Sequence, residues 1–239
     1  MEAAELLAPL ARAPGRTALV LDVDGTLAPI APRPELATVP PATQDELTRL
    51  VDRYLLVACV SGRAGEDARR LVGVEGVVFV GNHGLELDPR ADELAGEISR
   101  FREAIGLPVE DKGLSLTYHY REAEDEAAAL EELEEVAARA TAEGLDARWG
   151  RKVLEIRPRV SANKGTAVRA LLERSGARLG LYAGDDTTDL DGFAGVAGAG
   201  LEHAVRVAVA SEEGPSELSD VADLIVDGPP EMAALLRLL

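Results

Sequence analysis

Four short, unbroken apolar runs, each stopping at a polar turn, constrain this chain more than any other feature. Ala18-Leu19-Val20-Leu21 runs into Asp22-Val23-Asp24-Gly25-Thr26, and Leu55 to Val60 ends at Ser61-Gly62-Arg63. Val77 to Val80 ends at Gly81-Asn82-His83-Gly84, and Leu179 to Ala183 ends at Gly184-Asp185-Asp186. A strand that is apolar on both faces must be covered on both, as in a parallel sheet between helices. Helical segments fall between the runs, at about Thr43–Arg53, after Arg63, and at Lys164–Ser175. Strand alternating with helix predicts an α/β fold, a doubly wound parallel sheet. Val205–Ala210 and Asp223–Val226 complete it, and residues 1–13 read as an amphipathic helix through Leu6, Leu7, Leu10 and Ala11. Residues 28–41 hold five prolines and read as an irregular loop.

Between about 89 and 160 the rhythm changes. Asp92–Ile105 reads as a helix, and Gly113–Tyr120 as a half-buried strand with Leu114, Leu116, Tyr118 and Tyr120 on one side. An Ala/Glu-rich helix over 122–143 and two strands, Leu145–Trp149 and Lys152–Arg157, follow. This is an α+β module inserted into the α/β core, with segments 1–88, 89–160 and 161–239. Glu122 to Glu143 carries nine acidic residues, but Ala127, Leu130, Leu133, Val136 and Ala137 form an apolar stripe. The acidic side reads as a solvated outer face.

Composition narrows the class. The 239 residues include 43 acidic and 25 basic side chains, a net charge of −18. Such a field disfavours sequence-independent nucleic-acid binding and adsorption to an anionic membrane. An anionic ligand would need a local cluster of cations. Cys59 is the single cysteine, which excludes an internal disulfide and suits a reducing compartment. With an opening Met-Glu-Ala-Ala-Glu lacking a basic region, and no apolar run of roughly 20 residues, the expectation is a soluble, cytoplasmic protein. No nucleotide P-loop pattern occurs. His83, His119 and His203 are scattered, so a zinc site is not expected.

The strand-end residues carry the chemistry. In an open α/β sheet the carboxyl ends of the strands face one crevice, so Asp22, Asp24, Ser61 and Asp185 should converge, with Lys164 near them. A carboxylate can attack phosphorus, and a second one can protonate the leaving alkoxide and later activate water. Two such groups repel unless a cation joins them or one is protonated. Asp185, Asp186 and Asp189 add hard oxygen donors of the kind that suits Mg²⁺. Ser61 and the adjacent backbone N–H groups can hold phosphate oxygens, and Lys164 supplies fixed positive charge.

Asp22-Val23-Asp24-Gly25-Thr26-Leu27, Ser61-Gly62-Arg63, Lys164 and Gly184-Asp185-Asp186-Thr187-Thr188-Asp189 resemble, in this order, the four motifs of haloacid dehalogenase superfamily phosphatases. Within that superfamily, Gly81 to Glu86, Glu110-Asp111-Lys112-Gly113, His119-Tyr120-Arg121 and Leu154 to Pro158 resemble the trehalose-phosphatase family. The resemblance implies a haloacid dehalogenase-like core with a cap inserted between the second and third motifs. It implies Asp22 as nucleophile and Asp24 as general acid/base. Ser61, Gly62 and Lys164 would hold phosphate; Arg63, His83, Glu110, Lys112, Arg121 and Glu155 would contact substrate. Asp22, the backbone carbonyl of Asp24, and Asp185 would ligate Mg²⁺, supported by Asp186 and Asp189. The implied activity is hydrolysis of trehalose 6-phosphate through an aspartyl phosphate, in a monomer standing alone without a synthase domain. Another sugar phosphate, or a pseudo-disaccharide phosphate, is the nearest alternative substrate; a silent sugar-phosphate-binding regulator is a remote one. Leu190-Asp191-Gly192-Phe193 departs from the family's Glu-Asp-Ala-Phe and removes one carboxylate beside the metal loop.

Overall fold

A computed structural model describes residues 3–31, 33–121, 123, 125–150, 152–211 and 214–239. It divides into two compact units, Met1–Gly84 with Ala162–Leu239, and Leu85–Ser161. Among the described residues, no helix is long and apolar enough to cross a membrane.

The first unit is built on six parallel strands. In chain order they are β1 (Thr17–Leu21), β2 (Leu56–Val60) and β3 (Val78–Val80), and, after the second unit, the three that follow it. The helices of its first half are α1 (Ala3–Arg12), α2 (Pro41–Val51) and α3 (Gly65–Val72). The second unit holds α4 (Ala91–Ile105), β4 (Glu110–Asp111), β5 (Leu116–His119), α5 (Glu126–Ala142), β6 (Leu145–Gly150) and β7 (Val153–Pro158). The first unit then resumes with α6 (Lys164–Ser175), β8 (Leu179–Gly184), α7 (Asp189–Ala197), β9 (His203–Ala210), α8 (Ser216–Val221), β10 (Leu224–Asp227) and α9 (Gly228–Leu236).

The order of the parallel sheet is β10-β9-β8-β1-β2-β3. Alternation of side chains sends Leu19, Leu21, Leu181, Ala183, Val205 and Val207 into one core with Leu7, Leu10, Leu47, Leu50, Val72, Met232 and Leu236. The other face of the sheet meets α6 and α7. Both faces are therefore covered, which is why β1 is buried at every position. Register aligns the ends: Leu21 lies beside Cys59 in β2 and Ala183 in β8, so the turns after three central strands start level with one another.

The helices α6 and α7 touch through glycine. A methyl group on Gly195 would lie 2.6 Å from the carbonyl oxygen of Gly165, closer than such atoms approach. That contact fixes the first turn of α6, and with it Lys164, against α7.

In the second unit the sheet is antiparallel, ordered β4-β5-β7-β6. Leu116, Tyr118, Leu154 and Ile156 face α4 and α5 and bury Ile98, Phe101, Leu133, Val136 and Ala140. Two elements here differ from the sequence reading, and a third, β4, was not expected. The strand expected over Gly113–Tyr120 narrows to β5, because Gly113 turns with φ +79° and its N–H donates to Asp111 Oδ1 at 2.8 Å. The two residues of β4 are too few to show a period. The helix expected over 122–143 starts at Glu126, since Asp125 caps it by accepting from the N–H groups of Ala127 and Ala128; Glu122 and Glu124 lie outside the described residues.

Gly195→Ala tests the helix contact. Alanine favours a helix by about 1 kcal/mol over glycine, but overpacking against backbone outweighs that. A net loss of about 1–3 kcal/mol in urea denaturation is expected; unchanged or increased stability would show that the helices part freely.

Candidate active site

Asp22 extends β1, its N–H donating to the Ala183 carbonyl at 2.9 Å. The chain then turns tightly, with the N–H groups of Leu27 and Ala28 both donating to the Val23 carbonyl at 2.9 Å. Gly25 sits in this turn at φ +79°, where a Cβ would come within 2.0 Å of Asp185 Oδ2. Only glycine admits the Asp185 carboxylate against that backbone. Thr26 Oγ1 donates to Asp185 Oδ1 at 3.3 Å.

Lys164 opens α6, which Asn163 caps through a reciprocal pair with Thr166. Its ammonium is buried, donates to Asp189 Oδ1 at 2.7 Å, and lies 2.9 Å from Asp22 Oδ1 and 3.9 Å from Asp186 Oδ1. A cation in a first helical turn opposes the helix dipole by about 0.3–1 kcal/mol. The surrounding carboxylates outweigh this: burial works against the charge, but Asp189, Asp22 and Asp186 hold the Lys164 pKa above its usual value.

Asp189, at the start of α7, is fully engaged. It accepts from Lys164 Nζ, from the Tyr182 hydroxyl at 2.6 Å, and from the backbone N–H groups of Asp185 at 2.9 Å and Asp186 at 3.0 Å. The turn after β8 is thereby folded around one carboxylate. Asp186 Oδ1 accepts from the N–H and hydroxyl of Thr188; burial raises its pKa, yet Lys164 and Thr188 hold it below the usual carboxylate value.

Charge is unbalanced here. Burial, and then Asp189, Asp185 and Asp186, push Asp22 well above the ordinary carboxylate range despite Lys164. Burial and the neighbouring Asp189 and Asp186 lift Asp185 to about 7. Among the described residues, Asp22, Asp185 and Asp189 bring one oxygen each within 4.8 Å of one another. With Asp189 engaged, Asp22 and Asp185 are the carboxylates left to meet a cation. Hard oxygen donors with surplus negative charge fit a divalent ion such as Mg²⁺. Cys59, buried one strand away, has its thiol pKa pushed up by burial and by Asp22, which makes it unreactive.

The other predicted residues form two further groups. Asp24 pairs with Arg63 rather than with Lys164: Nε and Nη2 donate to its two oxygens at 2.7 Å. Ser61 is buried at the end of β2, and the His83 ring lies over Gly62. Glu110 and Glu155 belong to the second unit. Register sets Glu110, Thr117, Glu155 and Arg148 in one row across β4, β5, β7 and β6, on the face opposite Leu116 and Ile156. Glu110 Oε2 meets His119 Nε2 at 2.7 Å, and Lys112 Nζ lies 4.0 Å from Glu110 Oε1. Arg121 follows β5, exposed. Sequence reasoning missed Tyr182, Thr26 and Asn163. A tyrosine inside a buried strand next to an aspartate-rich turn was the available signal, since a buried hydroxyl needs a partner.

The sequence profile described as trehalose-phosphatase matches residues 20–97 and 98–225. The chain belongs to the trehalose-phosphatase family. It is 35% identical over 207 residues to a trehalose-phosphate phosphatase of Mycobacterium avium, covering 76% of this chain and 51% of that protein. It is also 35% identical over 220 residues to an uncharacterized glycosyl hydrolase of Mycobacterium tuberculosis, covering 80% of this chain but 16% of that one. The chain thus spans at most about half of these curated relatives. The fold matches the crystal structure of a trehalose-6-phosphate phosphatase related protein with TM-score 0.73 and 24% identity, over 92% of this chain and 95% of that one.

For this family member the acidic cluster sets a pH dependence. In the metal-free protein the folded pKa of Asp185 is about 7, against an ordinary 3.8. Folded protein retains a proton that the unfolded chain has released, so stability falls as pH rises from about 4 towards 7. In EDTA, the urea midpoint is expected to drop over that range, and less so in Asp185→Asn. An equal drop in the variant would remove Asp185 from the cluster.

Proposed function

We infer that this chain is a phosphatase that hydrolyses trehalose 6-phosphate to trehalose and phosphate. One observation carries the reading: Asp22 is pinned at a strand end by a buried lysine, in a protein otherwise strongly negative. Lys164 is one cation among four carboxylates, so it would receive an anionic phosphoryl group together with a divalent ion that the surplus carboxylates would hold.

The chemistry follows from the residues. Asp22 Oδ attacks phosphorus, forming an aspartyl phosphate as the bond from phosphorus to the sugar O6 breaks. Asp24, keeping one hydrogen bond from Arg63 and carrying a proton on its other oxygen, gives that proton to O6 and then takes one from the water that attacks phosphorus of the intermediate, releasing phosphate and returning Asp22 to a free carboxylate. Lys164 offsets charge on the phosphoryl oxygens, and Ser61 with the N–H groups of its turn holds them. A Mg²⁺ ion held by Asp22, Asp185 and the Asp24 carbonyl would supply further charge stabilisation when bound. Asp186 and Asp189 fix the loop that presents Asp185.

The unit Leu85–Ser161 is read as a cap that supplies the sugar contacts. Glu110, Lys112, Arg121 and Glu155 suit vicinal hydroxyls, because charged side chains make strong, directional hydrogen bonds to them. Arg63 is better read through its partner Asp24 than as a substrate contact.

Phosphate release from trehalose 6-phosphate, glucose 6-phosphate, sucrose 6-phosphate and p-nitrophenyl phosphate, with Mg²⁺ and with EDTA, tests the reading. A large Mg²⁺-dependent preference for trehalose 6-phosphate is expected, and Asp22→Asn should fold yet lose turnover. Release from p-nitrophenyl phosphate alone would overturn the substrate; appreciable activity in pure Asp22→Asn would overturn the nucleophile.

A further inference from the structure

Three nitrogens of the Arg63 guanidinium are committed within the first unit. Nε donates to Asp24 Oδ2 and Nη2 to Asp24 Oδ1, both at 2.7 Å, and Nη1 donates to the Pro34 carbonyl at 3.1 Å. This is the planar fork matched to a carboxylate, a geometry that a lysine cannot reproduce. The pair is partly exposed, which for two flexible side chains would make it weak. Here the backbone at each end is fixed.

On the arginine side, the Arg63 N–H donates to Ser61 Oγ at 3.2 Å and the Arg63 carbonyl accepts from the Asn82 N–H at 2.7 Å. The His83 N–H donates to the Ser61 carbonyl at 2.9 Å. Asn82 and His83 are both left-handed, at φ 51° and 52°. Such strain persists where the surroundings over-determine it, and it is found where function requires placement. On the aspartate side, the turn from Val23 to Ala28 closes through a bridge between Asp24 and Ala28 and through the Gly25 N–H on the Ala28 carbonyl at 2.7 Å. One three-residue turn therefore carries both Ser61, read as a phosphate contact, and Arg63, which holds Asp24.

We propose that Arg63 is the positioning residue for Asp24: it holds that carboxylate where it can serve the leaving oxygen and then the attacking water. The proposal rests on the phosphatase reading. A sugar alkoxide leaves poorly without a proton, so its departure depends on Asp24. A p-nitrophenolate leaves as a stable anion, so the first step with p-nitrophenyl phosphate does not. Activation of water passes through Asp24 for either substrate, and the pre-steady-state burst of p-nitrophenolate reports the first step alone.

The test compares Arg63→Gln, Asp24→Asn and the double variant in the full chain with Mg²⁺. Arg63→Gln is expected to lower kcat on trehalose 6-phosphate by about 10–100-fold, with KM within about threefold. The p-nitrophenolate burst rate should stay within about threefold, and adding Arg63→Gln to Asp24→Asn should change kcat by less than about twofold. Arg63→Lys should recover part of the loss. A raised KM with kcat intact would overturn the proposal in favour of a substrate contact. So would equal losses in both assays, or additive losses in the double variant. If Arg63→Gln does not fold, Arg63→Lys carries the same comparison: slower sugar-phosphate turnover with an unchanged burst supports the proposal, and any other pattern overturns it. Wild-type protein inactive on both substrates would instead remove the phosphatase reading itself.

Discussion

A single buried ammonium organises the strand ends of the first unit. Lys164 is shared between Asp189 at 2.7 Å and Asp22 at 2.9 Å, so it joins the ends of β1 and β8 to the starts of α6 and α7. Removing one partner of a buried pair leaves an uncompensated charge, at a cost of about 3–5 kcal/mol. The polar connections of Asp189 and the steric contact of Gly165 with Gly195 agree on where Lys164 must sit. Four carboxylates against one lysine leave a surplus of negative charge. The surplus is the physical basis for a cation site, and, after burial, it is what raises the pKa values of Asp22 and Asp185.

The two acidic residues of Asp22-Val23-Asp24 end in different electrostatic company. Asp22 points to Lys164 and the carboxylates of the turn after β8, whereas Asp24 is taken by Arg63 from the turn after β2. Neighbours two apart in sequence thereby acquire distinct roles from opposite sides of one strand end. The parallel register that sets Leu21 beside both Cys59 and Ala183 makes the division possible.

Much of this was legible in the sequence, for identifiable reasons. Apolar runs and the turns that end them report buried parallel strands directly, and the strand-end rule then brings Asp22 and Asp185 together, with Lys164 at the start of α6 beside Asp22. The Arg63–Asp24 pair was not legible, because it spans 39 residues and depends on strand register and side-chain reach. Tyr182 was hidden by reading its strand as uniformly apolar. The start of α5 was missed although Asp125 before an alanine run is an N-cap signal. In the inserted unit, Glu110 and Glu155 fall in one row only once β4 pairs with β5 and β5 with β7, and nothing local in two residues announces β4.

The central claim is that Asp22 becomes covalently phosphorylated, and borohydride trapping tests it most directly. The reagent reduces an acyl phosphate to an alcohol, converting the aspartate that carries it to homoserine. In protein turning over trehalose 6-phosphate with Mg²⁺, peptide mass spectrometry is expected to find homoserine in place of Asp22, and none when substrate is omitted. Sustained turnover with Asp22 unreduced, or homoserine in place of Asp24 instead, would contradict the account.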